Sequence, residues 1–180
     1  TNETRLGAVR DLQYAIEVLQ KRDIVNSKSS NSKWPDDMLV VAADNLLFFS
    51  FRGFVDFAKE KGTPCIMCHK QPVREKLQRT GVVVLDDNNK VLNMEQKPQE
   101  PKSTWAVPPF YIYKKENIDM IMHAIENGCG FDAPGNLAHY MVDNVTMHAW
   151  PMAGTGENLR LDIGSLDTYK EACEKYGVRK

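Results

Sequence analysis

The sequence predicts an α/β fold with a mainly parallel sheet, and two observations support that prediction. Short apolar segments alternate with amphipathic helical segments along the chain, as they do in βαβ units. The apolar run Leu39-Val-Val-Ala-Ala43 is continuous, which is typical of a strand covered on both faces. With 42% apolar and 26% charged residues, the chain has a globular composition. We therefore expect residues 1–180 to form a single domain with helices on both faces of the sheet.

The positions of the elements follow from periodicity and from turn residues. Apolar residues at helical spacing predict helices over 6–22, 52–61, 73–79, about 115–127 and 136–143. Apolar runs predict strands over 39–43, 64–68, 106–113 and 145–150. Polar, aperiodic residues over 26–37 predict a surface loop.

Two further elements are predicted by local chemistry. The runs Val82–Leu85 and Val91–Met94 flank the turn-rich segment Asp86-Asp-Asn-Asn89, which predicts an antiparallel hairpin within the parallel sheet. A last helix is predicted near Ser165, because the serine hydroxyl can cap a helix and Asp167 favours its positive end.

Charge and hydropathy exclude several classes of partner. Lys and Arg number 23 against 24 Asp and Glu, without a block of like charges, so we expect no nucleic-acid or membrane-surface binding. No apolar run is long enough to span a bilayer, and the first residues lack the apolar core of a signal peptide. We expect a cytoplasmic protein. The chain begins with Thr1 rather than Met, which favours a piece of a longer protein.

The cysteines permit two interpretations. The segment Cys65-Ile-Met-Cys68-His69 has the spacing of a c-type haem attachment site, and a zinc site that includes Cys129 is also conceivable. However, Cys65 and Cys68 lie in an apolar run that follows Gly62-Thr-Pro64. A strand sends residues three apart to opposite faces, so we expect these thiols to be structural.

Two aspartates occupy positions that suit a metal ion. Asp44 stands directly after the apolar run that ends at Ala43, and Asp162 stands just before the last helix. Ligands of open α/β sheets bind beyond the carboxyl ends of the strands. Mg²⁺ commonly uses one or two carboxylates, with substrate phosphates completing its coordination. We expect the two carboxylates to converge at that edge, although each could instead serve a turn or a helix cap.

Two other segments carry weaker signals. Lys97 follows a strand and precedes Pro98, which forces the chain out of the sheet, so the ammonium could meet a phosphate. An exposed lysine is more commonly a solvated surface group. The segment Gly154-Thr-Gly156 lacks the strand before it and the Lys-Ser/Thr after it that a phosphate loop requires.

Taken in order, five segments resemble the sugar-phosphate nucleotidyltransferases, the family of glucose-1-phosphate thymidylyltransferase and ADP-glucose pyrophosphorylase. They are Val40-Val-Ala-Ala-Asp44-Asn45, Gly81-Val-Val-Val84, Glu95-Gln-Lys97-Pro98, Pro101–Tyr113 and Leu161-Asp162-Ile-Gly164. The resemblance implies a Rossmann-like sheet and the transfer of a nucleotidyl group from a nucleoside triphosphate to a sugar-1-phosphate. A homo-oligomer is compatible with it.

The resemblance also implies roles for individual residues. Asp44 and Asp162 would hold the catalytic Mg²⁺, and Lys97 would contact the phosphate of the sugar phosphate. The residues implied in substrate binding are Gly7 near the nucleobase, Glu95 and Gln96 near sugar hydroxyls, and Arg160.

The chain departs from the family pattern in ways that bear on the substrate. Gln96 replaces a glutamate, Pro109 replaces a glycine and Arg160 replaces a common aromatic residue, which puts the sugar contacts in question. The family's opening strand and its Gly-x-Gly-Thr-Arg phosphate loop are not found in the 180 residues. We therefore expect this chain to be the carboxyl-side portion of a catalytic domain and to be inactive alone.

Two alternatives belong to other classes. The first is a non-catalytic module that binds a sugar phosphate or a nucleotide sugar. The second is a glycosyltransferase with an Asp-x-Asp metal motif, for which Asp86-Asp87 fits poorly because it lies in the predicted hairpin turn.

Overall fold

The structure is a computed structural model that describes residues 6–26, 37–153 and 160–177. The strands are β1 (Met38–Val41), β2 (Asn45–Leu47), β3 (Cys65–Lys70), β4 (Gly81–Leu85), β5 (Val91–Gln96), β6 (Trp105–Val107), β7 (Phe110–Tyr113), β8 (His148–Pro151) and β9 (Arg160–Asp162). The helices are α1 (Ala8–Asn26), α2 (Arg52–Lys61), α3 (Arg74–Leu77), α4 (Ile118–His123), α5 (Pro134–Asn144) and α6 (Leu166–Tyr176).

The main sheet is built around β3, whose first five residues are buried. The sheet runs in the order β1-β7-β3-β6-β4-β5, and β8 also pairs with β3. Among the described strands, β3 and β8 form the parallel pairing, and the other pairings are antiparallel. The α/β class is confirmed, whereas a mostly antiparallel sheet replaces the mainly parallel one that we predicted.

The strand β1 shows why the predicted parallel arrangement was wrong. Its four residues alternate between half-buried and exposed, with Leu39 41% exposed, so the apolar run is not covered on both faces. It pairs antiparallel with β7, with Val41 opposite Phe110. A uniformly apolar sequence therefore did not distinguish a strand exposed on one face from one in the interior of a parallel sheet.

Two apolar clusters cover the two faces of the sheet, and β3 contributes alternately to each. Ile66 and Cys68 pack in the cluster beneath α1, α4 and α5, whereas Cys65 and Met67 pack in the cluster beneath α2. The two thiols thus face opposite sides, as predicted. Burial raises the pKa of the Cys65 thiol to about 11 and that of Cys68 to about 12. Both are structural side chains in the two cores.

A proline pair interrupts the strand predicted over 106–113. β6 ends at Val107 and β7 begins at Phe110, with Pro108 and Pro109 between them. Proline has no backbone N–H to donate to a neighbouring strand. As a result, β7 pairs with the first two residues of β3 and β6 pairs with its last two.

The other elements follow the sequence pattern closely. α2 has its predicted bounds, β4 and β5 form the predicted hairpin, and the Ser165 hydroxyl accepts from the Thr168 N–H to cap α6. No helix in the described part of the chain is long and apolar enough to cross a membrane. Residues 27–36 of the predicted surface loop and Gly154-Thr-Gly156 lie outside the described residues.

Candidate active site

The candidate site is built on a two-stranded ribbon in which β2 and β9 pair antiparallel. Asn45 lies opposite Asp162, and Leu47 lies opposite Arg160. Each strand has three residues, which is too short for an alternating pattern to be recognised in the sequence. The ribbon joins two segments that are far apart along the chain and brings their polar residues together.

The ribbon places Asp44 and Asp162 around Gly164. The Asp44 carbonyl accepts from the Ile163 N–H at 2.8 Å, and Asp162 Oδ1 accepts from the Gly164 N–H at 3.0 Å. A Cβ added to Gly164 would lie 3.1 Å from Asp162 Oδ1 and 3.6 Å from Asp44 Oδ2. Those two oxygens are therefore separated by no more than the sum of these distances.

This convergence matches our expectation for the two aspartates, but its setting differs from the one expected. The carboxylates meet beside an antiparallel ribbon and not at the carboxyl edge of a parallel sheet. The ribbon can hold them because its cross-strand partners are fixed by register, so Asp162 lies beside Asn45 and next to Asp44.

Arg160 connects the same group of side chains. Its Nη1 donates to Asn45 Oδ1 at 2.6 Å and lies 3.8 Å from Asp162 Oδ2. Asn45 Nδ2 in turn donates to Asp44 Oδ1 at 2.8 Å. Burial lowers the pKa of the Arg160 guanidinium, while Asp162 and Asp44 act in the opposite direction. Because the pKa of an arginine starts so high, the side chain stays cationic at neutral pH.

A cleft of about 200 Å³ opens beside the ribbon. It is lined by His69, Gln71, Lys76, Thr80, Ala106, Arg160 and Asp162. Of these, Arg160 and Asp162 were predicted site residues, whereas His69, Gln71, Lys76 and Thr80 were not. One signal could have identified His69 and Gln71. They are polar residues at and just beyond the end of a buried strand, and both are 5% exposed.

Lys97 is joined by its backbone to a residue that lines this cleft. Its backbone N–H donates to the carbonyl of Thr80 at 2.9 Å, and Thr80 lines the cleft together with Asp162. The side chain is exposed, and its backbone has φ +52°, in the left-handed region. Such a conformation costs energy in a residue other than glycine and is found at functional sites more than elsewhere.

Glu95 and Gln96 precede Lys97 on β5 and are held in different ways. Glu95 forms an ion pair with Lys102, with 2.5 Å between Oε1 and Nζ. The Gln96 side chain lies between Gly81 and Gly135: added Cβ atoms on these glycines would be 3.2 Å and 2.0 Å from Gln96 Oε1. The absence of side chains at both glycines therefore makes room for the Gln96 carboxamide.

Gly7 occupies a separate neighbourhood. It is buried, has φ +88°, and an added Cβ would lie 2.5 Å from the carbonyl oxygen of Phe131. That oxygen also accepts from the Val9 N–H at 3.0 Å. No described contact joins Gly7 to either carboxylate, so the ribbon brings together Asp44, Asp162 and Arg160 but not Gly7.

The donor set at the ribbon suits a hard divalent cation. Within residues 6–26, 37–153 and 160–177, no group of three or more His, Cys, Asp and Glu side chains could hold a metal ion, so these residues would supply two carboxylates here and no more. Two carboxylates facing one glycine leave a space that a Cβ would fill, and two is the number that Mg²⁺ commonly takes from protein when phosphate oxygens complete its shell. The residues present therefore fit Mg²⁺ bound together with a phosphorylated ligand.

Comparison with known proteins identifies the family of the chain. The family model described as nucleotidyl transferase matches residues 11–178. The chain belongs to the nucleotidyl transferase family. This assignment confirms the family resemblance drawn from the sequence motifs, and the family is one of enzymes.

Relatives of this nucleotidyl transferase chain act on glucose-1-phosphate according to their names. It is 30% identical to the UTP–glucose-1-phosphate uridylyltransferase of Synechocystis sp. over 79% of its length and 35% of that protein. It is 26% identical to the glucose-1-phosphate adenylyltransferase of Fervidobacterium nodosum, over 76% of its length and 32% of that protein. The chain thus spans about a third of the length of these relatives.

Solved structures share the fold. A Bacillus anthracis protein described as a glucose-1-phosphate thymidylyltransferase, crystallised with sucrose, superposes with a TM-score of 0.62 at 20% identity, over 98% of this chain and 63% of that one. A UDP-glucose pyrophosphorylase complexed with UDP-glucose gives 0.64 at 17% identity, over 78% of this chain and 56% of that one. At these identities the likeness concerns the fold alone.

Proposed function

We propose that this chain is part of a Mg²⁺-dependent enzyme that makes a nucleoside diphosphate sugar and pyrophosphate from a nucleoside triphosphate and a sugar-1-phosphate. The observation that carries the proposal is the meeting of Asp44 and Asp162 at Gly164, beside a cleft lined by Thr80, whose carbonyl accepts from the Lys97 backbone N–H. Membership of the nucleotidyl transferase family supports it.

The proposed reaction requires the protein to position the two substrates and to neutralise negative charge, and little else. An oxygen of the sugar-1-phosphate attacks the α-phosphorus of the triphosphate, the bond to the bridging α–β oxygen breaks, and pyrophosphate leaves. The attacking oxygen is already anionic, so no side chain needs to remove a proton. Catalysis of this kind rests on alignment of the two substrates and on neutralisation of developing negative charge.

Each site residue has a defined part in the proposal. Asp44 and Asp162 would hold the metal ion, which neutralises phosphate charge when it is bound. Lys97 would pair with the phosphate of the sugar phosphate as a point charge. Gln96, Glu95 and Arg160 would border the substrates. Gly7, whose backbone lies against Phe131, would approach the nucleobase.

The test of this assignment is a Lys97→Met substitution in the form of the protein that carries the activity. Methionine roughly preserves the volume of the stem but removes the charge. We expect kcat/KM for the sugar phosphate to fall about 100-fold while the KM for the triphosphate changes less than about threefold. An unchanged kcat/KM for the sugar phosphate would reject the role of Lys97.

The 180 residues offer no glycine-rich loop of the Gly-x-Gly-Thr-Arg type, and the β and γ phosphates need backbone N–H donors of that kind. We therefore propose that the chain alone does not turn over. Pyrophosphate release should be measured with the chain alone and with any in-frame coding sequence that flanks it. Robust turnover by the 180 residues alone would contradict this part of the proposal.

A second candidate is a non-catalytic module that binds a sugar phosphate, and two residues favour it. Gln96 offers a neutral amide where the family has a carboxylate, and Pro109 has no N–H to offer a sugar. Sugar-phosphate binding without pyrophosphate release, in the presence of flanking sequence with a phosphate loop, would select this candidate.

The glycosyltransferase alternative is not supported by the hairpin. Asp86 Oδ1 accepts from the backbone N–H groups of Asn88 and Lys90, at 2.9 Å and 2.8 Å. Asp86 is thereby occupied in forming the turn between β4 and β5, as expected for an Asx turn.

A further inference from the structure

We propose that Arg160 is a resident counter-cation of the two carboxylates, which weakens binding of a bare divalent cation and favours a cation that arrives with a triphosphate. The inference rests on the proposed function, because it takes Asp44 and Asp162 as the metal ligands. It concerns a different property: which charged species the site accepts.

The position of Arg160 follows from the geometry of β9. Arg160 and Asp162 are two residues apart on a strand, so their side chains project from the same face. Asn45 is the cross-strand partner of Asp162 and lies diagonally from Arg160. The guanidinium is thereby directed at the space between Asn45 and the carboxylates, rather than away into solvent.

The contacts make Arg160 part of one polar network. Nη1 donates to Asn45 Oδ1 at 2.6 Å and lies 3.8 Å from Asp162 Oδ2. Asn45 Nδ2 donates to Asp44 Oδ1 at 2.8 Å, so the Asn45 amide links the guanidinium to the second carboxylate through two hydrogen bonds. Removing Arg160 would leave two carboxylates facing Gly164 with one fewer positive charge beside them.

The burial of the guanidinium decides whether this charge matters. The Arg160 side chain is 18% exposed, so water and salt screen its field less than they screen a surface arginine. The pair of Arg52 and Asp56 has the same N–O distance, 3.8 Å, and Asp56 is 63% exposed against 62% for Asp162, but the Arg52 side chain is 88% exposed. It serves as a matched control, since losing Arg52 changes the net charge equally.

The consequence differs for the two kinds of cation. A bare Mg²⁺ is repelled by the guanidinium, and its attraction to the two carboxylates is reduced because Arg160 partly neutralises their charge. A complex of Mg²⁺ with a triphosphate carries net negative charge, and its phosphate oxygens can accept from the guanidinium. Arg160 therefore opposes binding of the bare ion and assists binding of the complex.

The experiment measures Mn²⁺ binding by titration calorimetry and by the electron paramagnetic resonance signal of free Mn²⁺, with and without a non-hydrolysable triphosphate. For R160Q we expect binding of Mn²⁺ alone to tighten about 10-fold or more and binding of the Mn²⁺–triphosphate complex to weaken. R160K, which keeps the charge, should stay within about threefold of the wild type, and R52Q within about twofold.

The outcomes separate this inference from the proposed function. Equal or weaker binding of Mn²⁺ by R160Q overturns the inference and leaves the metal site standing. Failure of both the wild type and R160Q to bind Mn²⁺ overturns the inference and the proposed metal site together. Circular dichroism shows whether the variants fold; if R160Q does not, R160M keeps most of the aliphatic stem and carries the same expectation.

Discussion

The central strand β3 and the β2–β9 ribbon place their residues in opposite environments. β3 pairs with strands along both of its edges and buries five of its six residues. The two strands of the ribbon form a separate two-stranded sheet, and none of their residues is fully buried. The thiols of β3 are inert core groups, whereas the ribbon keeps its carboxylates accessible. We infer that stability concentrates at β3 and chemistry at the ribbon.

The largest effect that would test this division is on activity. In the form of the protein that carries the proposed activity, Asp162→Asn should lower kcat/KM at least about 1,000-fold, because the proposed metal ligand loses its charge. The free energy of unfolding should change by less than about 1 kcal/mol, since asparagine can still accept from the Gly164 N–H. Asp167→Asn, an exposed acid of α6, is the matched control. A loss below tenfold for Asp162→Asn would contradict the division.

The second prediction concerns stability and a substitution in β3. Ile66 is 0% exposed within the larger apolar cluster, so Ile66→Ala should lower the free energy of unfolding by about 2–5 kcal/mol. Leu92→Ala, at a side chain that is 58% exposed, should cost less than about 1 kcal/mol. Urea denaturation compares the two, and equal costs would mean that β3 is not the main source of stability.

Two glycines with positive φ allow a sharper comparison. Gly7 and Gly62 have φ +88° and +65°, but an added Cβ meets the Phe131 carbonyl only at Gly7, and nothing within 4 Å at Gly62. Gly62→Ala should cost about 1 kcal/mol of backbone strain. Gly7→Ala should cost at least about 2 kcal/mol, because the clash is with backbone and cannot be relieved by a rotamer change. The free energies of unfolding of the two variants test this difference, and similar values would show that Phe131 moves to make room for the added Cβ.

The smallest effect concerns pH. Burial raises the pKa of the Cys65 and Cys68 thiols to about 11 and about 12, from 9.0. Above pH 9 the unfolded chain therefore holds fewer protons than the folded protein, and stability falls as pH rises. We expect a loss of about 1 kcal/mol per thiol between pH 8 and pH 10. Cys68→Ala should reduce that loss, as measured by denaturation at both pH values, and an unchanged loss would contradict the assignment.

The sequence predicted the elements whose signals are local. α2 shows helical spacing across its whole length, Ser165 caps α6 with its own hydroxyl, and the hairpin of β4 and β5 surrounds a turn-rich segment. The opposite facing of Cys65 and Cys68 followed from the geometry of a strand. Each of these depends on residues within a few positions of one another.

What the sequence did not predict depends on partners far along the chain. β2 and β9 have three residues each and exist because they pair with each other. The direction of the β1 pairing is set by β7, which an apolar run alone cannot specify. Asp44 and Asp162 were identified because their types and settings suit a metal, but the network of Arg160 and Asn45 that joins them required the register of the ribbon.

The most direct test of the central claim, that the ribbon joins Asp44 and Asp162 into one cation site, is a Mn²⁺ titration of four proteins. These are the wild type, Asp44→Asn, Asp162→Asn and the double variant, each titrated with the triphosphate analogue present. We expect one bound ion in the wild type and a loss of affinity of at least about 10-fold in each single variant. The total loss in the double variant should be much smaller than the product of the two single losses, as for ligands of one ion. Wild-type affinity in either single variant, or losses that multiply independently, would contradict a shared site.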